Sequence, residues 1–374
     1  MSGSGFGKCF SVSTWGESHG EGLGAIVDGC PAGVPLSLDD IQMELDRRKP
    51  GGQFATSRQE ADKAMLLSGV FEGATTGTPI SIALFNGDKR SGDYKELCCV
   101  YRPGHADLAY DLKYGVRDYR GGGRSSGRET AGRVAAGAVA KAFLRELGIT
   151  VSSYVASIGS VCVDKDRLDL EEVLRNPLRM PDASAYAKAA ELCRQAIEDG
   201  DSLGGVVECF ISGVISGLGE PVFDKAHAVL GHAFFSIGAV KGVEFGRGFD
   251  SARLRGSQCN DQYAGADGRV AKLSNNAGGI LGGITDGTDI FARIAFKPTP
   301  SISKEQRAAS SSGESVQLSV KGRHDPVIPP RASVVVEAMA AIALADLAIQ
   351  SLASKVTDVK SILKSRPSSF LQEQ

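Results

Sequence analysis

Two stretches of this chain are apolar around almost the whole helical circumference, and they restrict the fold more than any other feature. One runs from Gly127 to Leu147, with Ala131, Val134, Ala135, Ala138, Val139, Ala142, Phe143 and Leu147 at helical spacing. The other runs from Arg331 to Leu352; its Ser333–Leu352 part carries only Glu337 and Asp346 as charged residues. A helix with no polar face has to be covered on every side. The embedded carboxylates favour burial in a protein core over a membrane span. Two further helices are expected at Leu38–Arg48 and Ala183–Glu198. The first has Ser37 as its cap and stops at Pro50-Gly51-Gly52.

Strand patterns supply the cover. They occupy Phe10–Trp15, Pro79–Phe85, Ile149–Val155, Gly205–Val214, Asp289–Phe296 and Ser315–Val320. Ile290, Ala292, Ile294 and Phe296 alternate with a mixed face, as do Val316, Leu318 and Val320 with polar residues. Such strands suit antiparallel sheets packed on one side. The expectation is an α+β fold with sheets outside and helices inside, built as a single domain over residues 1–374. Ser301–Ser315 reads as a mobile loop.

Charge and cysteines exclude several classes. The net charge is −2 and aromatic residues make up 6%, which argues against a nucleic-acid binder. The eight cysteines include no Cys-x-x-Cys pair, so neither a zinc ribbon nor a thioredoxin motif is expected. The histidine spacings suggest no metal site. Met1–Lys8 lacks the apolar core of a signal peptide. These readings point to a reducing cytoplasm, with no membrane partner.

The chemistry concentrates before the first apolar helix. Arg120-Gly121-Gly122-Gly123-Arg124-Ser125-Ser126-Gly127-Arg128-Glu129 brings three arginines and a glycine run to a helix entrance. Ser126 and Glu129 have capping-box spacing. A helix N-terminus flanked by cations is an anion site. The dinucleotide fingerprint fails because Ser126 stands at its last glycine position. The phosphate loop fails because Arg128-Glu129 follows Gly127. A nucleophile elbow matches by letter at Gly123–Gly127, so a serine hydrolase using Ser125 with His324 stays open. A non-catalytic anion binder stays open too.

His19, His105 and His324 all lie in glycine- or proline-punctuated loops, where catalytic groups are over-represented. They occur in Gly16-Glu17-Ser18-His19-Gly20, Arg102-Pro103-Gly104-His105-Ala106-Asp107 and Gly322-Arg323-His324-Asp325-Pro326. Asn275–Gly283 is a second glycine-rich element, and Lys297-Pro298-Thr299-Pro300-Ser301 follows a strand. Together these elements imply a small, multiply anionic substrate and a phosphorylated cofactor.

These motifs, in this order, resemble the chorismate synthase family from Trp15 to about Arg331. The resemblance implies helices sandwiched between antiparallel sheets, assembled as a homotetramer. It implies a carbon–oxygen lyase acting on phosphates. The reaction would be anti-1,4-elimination of phosphate from 5-enolpyruvylshikimate 3-phosphate to give chorismate. Reduced FMN would be needed without net redox change. An external flavin reductase or other reductant would supply it, with NADP associated with that supply, because no appended reductase domain is evident.

By the same resemblance, Arg48, Arg102, Arg128 and Arg323 would hold the substrate. His19 would protonate the leaving phosphate, and His105 would set the protonation of the reduced flavin. Asp325 would assist proton removal beside the flavin N5, with Ser18 and Ser126 supporting the relay. Arg124, Ser125, Ser126, Gly238, Ala239, Gly282, Lys297, Pro298, Thr299, Pro300, Ser301 and Arg323 would hold FMN. The chain departs from the family pattern at Gln53-Phe54, where a basic residue is usual and Arg58 is the nearest substitute. It departs again at Gly238, where Asn or Pro is common.

Overall fold

The computed structural model describes residues 3–49, 54, 62–87, 98–320 and 325–366. Two five-stranded antiparallel sheets enclose the apolar helices. The first sheet has the order Gly5–Phe6, Ser11–Gly16, Gly22–Asp28, Ile80–Phe85, Ala64–Leu66. The second has the order Val161–Cys162, Thr150–Ile158, Gly205–Ser212, Ile290–Phe296, Val240–Phe245. Alternation sets the register, as expected: Ile290, Ala292, Ile294 and Phe296 face the core, with Cys209 opposite Ala292.

Between the sheets lie the helices Thr130–Glu146 and Pro329–Ser351. The first packs on the Gly22–Asp28 strand, and the second on Thr150–Ile158 and Gly205–Ser212. They approach each other at Gly137, where an added Cβ would lie 2.4 Å from the Ala338 Cβ. Only glycine permits that separation. Pro329–Ser351 is the one described helix long and apolar enough to cross a membrane, and 94% of its most apolar window is buried inside the protein.

Its two carboxylates have partners that account for their burial. Asp346 Oδ1 accepts the backbone N–H groups of Lys8, Cys9 and Phe10 at 3.0, 2.7 and 3.0 Å. Glu337 accepts from Arg47 Nη1 and Nη2 at 2.8 and 2.9 Å, and from Lys141 Nζ at 2.6 Å. The Leu38–Arg48 helix begins with a Ser37/Asp40 capping box and buries Ile41 and Leu45. Its last residue, Arg48, is driven into the interior, at 1% exposure. A second, smaller apolar cluster joins Phe54, Leu178 and Met180 to the helix Ala183–Glu198.

Three expectations need correction. Ser301–Ser315 is not a plain loop: Gln306–Ser310 is a strand that pairs with Ser315–Leu318 and with Val100–Tyr101. Most of its pairing is with the hairpin partner Ser315–Leu318, and Ala309 and Ser310 also pair with the distant Tyr101 and Val100. Ser126 and Glu129 do not form a capping box. The Ser126 hydroxyl accepts from the Arg128 N–H at 3.3 Å, and Glu129 turns to Arg133 at 3.0 Å. The apolar helix therefore starts at Thr130, after a 3-10 turn over Gly127–Glu129. The C-terminal helix starts at Pro329, earlier than its apolar period suggests, because proline suits a first helical turn.

Candidate active site

A cavity of about 580 Å³ opens where the Gly121–Thr130 turns meet the C-terminal end of the Leu38–Arg48 helix. Of the residues singled out by sequence, it brings together Arg48, Arg102, His105, Arg124, Ser125, Ser126 and Arg128. Gly238, Ala239, Lys297, Thr299, Pro300, Ser301 and Asp325 complete that set. Ser18, His19, Pro298 and Gly282 do not line it. Gly282 lies at the turn of the Ile280–Leu281/Ile284–Thr285 hairpin. Arg323 and His324 lie outside the described residues, as do Gln53 and Arg58.

Most of the cations are held by carboxylates. Arg102 makes a two-pronged contact with Asp107, 2.7 Å from Nε to Oδ2 and 2.7 Å from Nη2 to Oδ1. The Arg102–Asp107 motif thus folds on itself, and the sequence spacing of five places both groups in one turn. Burial alone would raise the Asp107 carboxyl; the Arg102 guanidinium and backbone N–H more than reverse this and hold it below the usual range. Arg48 Nη2 donates to Asp62 Oδ2 at 2.7 Å, and Arg128 Nη1 takes the other oxygen of Asp62. Arg133 pairs with Glu129, and Arg331 pairs with Asp325 while donating from Nε to the Arg48 carbonyl at 3.2 Å.

Arg124 and Lys297 differ. Among the described residues Arg124 donates to neutral acceptors: Gly16 O at 3.0 Å, Thr14 Oγ1 at 2.7 Å, Thr14 O and Ser4 Oγ. Lys297 Nζ donates to the Gly104 carbonyl at 2.6 Å. Burial, with Lys241 nearby, lowers the Lys297 ammonium below its ordinary value. Among the described residues neither of these two cations is paired with a carboxylate, unlike the other arginines of the cavity.

Around them the backbone comes close. Gly121 has φ +75°, and a Cβ there would lie 2.7 Å from Cδ2 and Nε2 of His19. The imidazole is therefore buried directly behind the glycine turn, at 6% exposure. Ser18 Oγ is buried beside it with no hydrogen-bond partner among the described residues. His105 Nε2 and Ser301 Oγ are 2.8 Å apart, across the cavity wall. Ala239 holds φ +72°, a strained value for a residue with a Cβ, and its carbonyl accepts from the Lys297 N–H at 3.0 Å.

Ser125 ends a 3-10 turn rather than a strand, and its hydroxyl donates to the Gly122 carbonyl at 2.7 Å. The strand-to-helix geometry of a nucleophile elbow is absent there. No group of three or more His, Cys, Asp or Glu side chains converges as a metal site among the described residues. Asp62, Asn86, Arg133 and Arg331 were not foreseen from sequence. Arg331 had a usable signal, since a cation in the first turn of a helix opposes the helix dipole and needs another reason to be there. Asp62 had none, because its partners are 14 and 66 residues away.

Comparison with known proteins points to one family. A family model described as chorismate synthase matches residues 10–349. A chorismate synthase of Lachnoclostridium phytofermentans is 57% identical over 364 residues, covering 97% of this chain and 99% of its own. One from Methanosarcina mazei is 51% identical over 357 residues, covering 94% and 97%. A crystal structure of chorismate synthase superposes with a TM-score of 0.73 at 36% identity, covering 96% of this chain and 97% of its own.

Proposed function

The chain belongs to the chorismate synthase family, and from that premise we propose how its cavity carries out the reaction. That reaction is the anti-1,4-elimination of phosphate from 5-enolpyruvylshikimate 3-phosphate to chorismate, the last common step of the shikimate pathway. The enzyme is a carbon–oxygen lyase. The proposal concerns which groups hold cofactor and substrate.

The observation that carries it is the contrast among the cavity cations. Arg48 and Arg102 are each locked on one edge by a carboxylate, while Arg128 is held by the Asp62 carboxylate and the Asn86 amide. That arrangement orients the guanidiniums in advance and suits charge-assisted capture of a substrate bearing two carboxylates and a phosphate. Arg124 and Lys297 have neutral partners instead. They suit the phosphate of reduced FMN, cradled by Ser125, Ser126, Gly238, Ala239 and the Lys297–Ser301 segment. The left-handed Gly121 and Gly122 leave room for a planar group to come close to the backbone. When bound, reduced FMN supplies electron density that eases departure of the phosphate, with no net redox change.

The chain's own groups handle the protons. His19, behind Gly121, delivers a proton to the leaving phosphate, a general-acid role with Ser18 beside it. Asp325, held by Arg331 and by the Thr299 hydroxyl on its carbonyl, assists removal of the ring proton. His105, tied to Ser301, sets the protonation of the bound flavin, and Ser126 steadies the Arg128 turn. Arg323 and Gly282 complete the proposed binding set.

We extend the proposal to residues 1–374 acting as one unit, to a homotetramer, and to an external flavin reductase or other reductant. A cytoplasmic setting suits the eight free cysteines, two of which, Cys98 and Cys99, are adjacent and exposed.

Anaerobic titration with reduced FMN tests the cofactor placement. Lys297→Met should weaken binding by about tenfold, the worth of one charge-assisted hydrogen bond. Native affinity in that variant would remove the flavin phosphate from this end of the cavity.

A further inference from the structure

One side chain outside the cavity wall joins two parts of the proposed machinery. Asn86 follows the Ile80–Phe85 strand. Its Oδ1 accepts from Arg128 Nε at 3.3 Å and Nη2 at 3.1 Å. Its Nδ2 donates to the Glu17 carbonyl at 3.0 Å and to the Gly20 carbonyl at 3.0 Å. Those carbonyls bracket Ser18 and His19. Its backbone N–H donates to the Glu21 carbonyl at 3.1 Å, which fixes the end of the same connection.

The two ends of the amide are chemically distinct. A guanidinium can only donate and a carbonyl can only accept, so the amide fits in one orientation alone. Among the described residues, the backbone within 17–20 supplies one bond of its own, 3.3 Å from the Gly20 N–H to the Glu17 carbonyl. His19 is buried against the Gly121 backbone, where a small displacement of the turn would move the ring.

We propose that Asn86 is a positioning residue for this reaction, coupling the turn that carries His19 to the guanidinium of Arg128. The inference rests on the roles proposed above for those two residues. Its donor end governs the proton-delivery step and its acceptor end governs substrate capture. The amide is a neutral acceptor for Arg128, which already has the Asp62 carboxylate on its other edge. Arg128 is thereby steadied without added negative charge where an anionic substrate must bind.

Asn86→Asp separates the two ends. It keeps an acceptor for Arg128 and removes both donors to the His19 turn. With saturating reduced FMN, kcat should fall by about tenfold or more, part of what a general acid contributes. KM for 5-enolpyruvylshikimate 3-phosphate should rise as well, because the new carboxylate sets a negative charge beside Arg128; the fall in kcat is what reads the donor end. His19→Ala is run in parallel. If it loses kcat while the Asp variant keeps it, the coupling is overturned and the role of His19 stands. If His19→Ala keeps native kcat, the proton-delivery reading fails first and takes this inference with it. Should the Asp variant not fold, Asn86→Ala removes both ends and should lower kcat and raise KM together. A folded Ala variant with native kcat and KM would overturn the coupling.

Discussion

Asp62 Oδ2 accepts from Arg48 Nη2 at 2.7 Å, with both side chains almost completely shielded from water. The other oxygen of the same carboxylate serves Arg128. Burial alone would raise the Asp62 carboxyl, but the two guanidiniums outweigh it and hold it below the usual carboxylate range. Removing this anion strands two buried cations in one place. Asp62→Asn should therefore cost about 3–5 kcal/mol, the usual size for breaking a buried ion pair. Urea denaturation of the native and variant proteins reads this directly. A loss below about 1 kcal/mol would show that the pair behaves as an exposed one.

Glu337 makes a prediction about acid. Burial alone would raise its carboxyl, yet Lys141 and Arg47 bring it down to about 2. The folded value lies below the unfolded value of about 4.3. Its contribution is thus present in full above the unfolded value and is lost as pH falls towards the folded one. Glu337→Gln should be clearly less stable than native at pH 6, and the gap should narrow as the pH is lowered from about 4.3. Thermal unfolding across that range checks the sign. A gap that widens on acidification would contradict the assignment.

Gly121 makes one about catalysis. A methyl group there would press on the His19 ring, 2.7 Å from Cδ2 and Nε2. Gly121→Ala should lower kcat by about tenfold or more through displacement of the imidazole. Gly115 is the control, since it has φ +71° and nothing within 4 Å of an added Cβ. Gly115→Ala carries the left-handed backbone cost, about 1–2 kcal/mol, without touching the site. Equal loss of kcat in both variants would assign the effect to backbone strain.

The legible parts were those written in local pattern. The Leu38–Arg48 and Ala183–Glu198 helices run between the residues their caps and periods indicated. Ile290–Phe296 alternates as read. The glycine–arginine turns and the His105 and Lys297 loops converge on one cavity. What stayed hidden depends on distance along the chain. The Gly22–Asp28 strand has no polar face to alternate, because it is packed between two strands and a helix. Gln306–Ser310 is polar enough to pass for a loop, and becomes a strand only through Val100–Tyr101 and Ser315–Leu318. Asp62 and Asn86 have ordinary sequence neighbours; their importance comes from arginines and carbonyls brought in by the tertiary fold. The capping box at Ser126 is not formed because the chain makes a 3-10 turn first, so the Ser126 hydroxyl accepts from the Arg128 N–H rather than from that of Glu129.

Elimination of phosphate in this cavity should depend on reduced flavin. The most direct measurement mixes the native protein anaerobically with 5-enolpyruvylshikimate 3-phosphate and chemically reduced FMN, and follows chorismate by its ultraviolet absorbance. Product and phosphate should form in equal amounts with reduced FMN, and neither with oxidised FMN. Product formed equally with oxidised flavin, or none from folded protein with both ligands bound, would contradict this expectation.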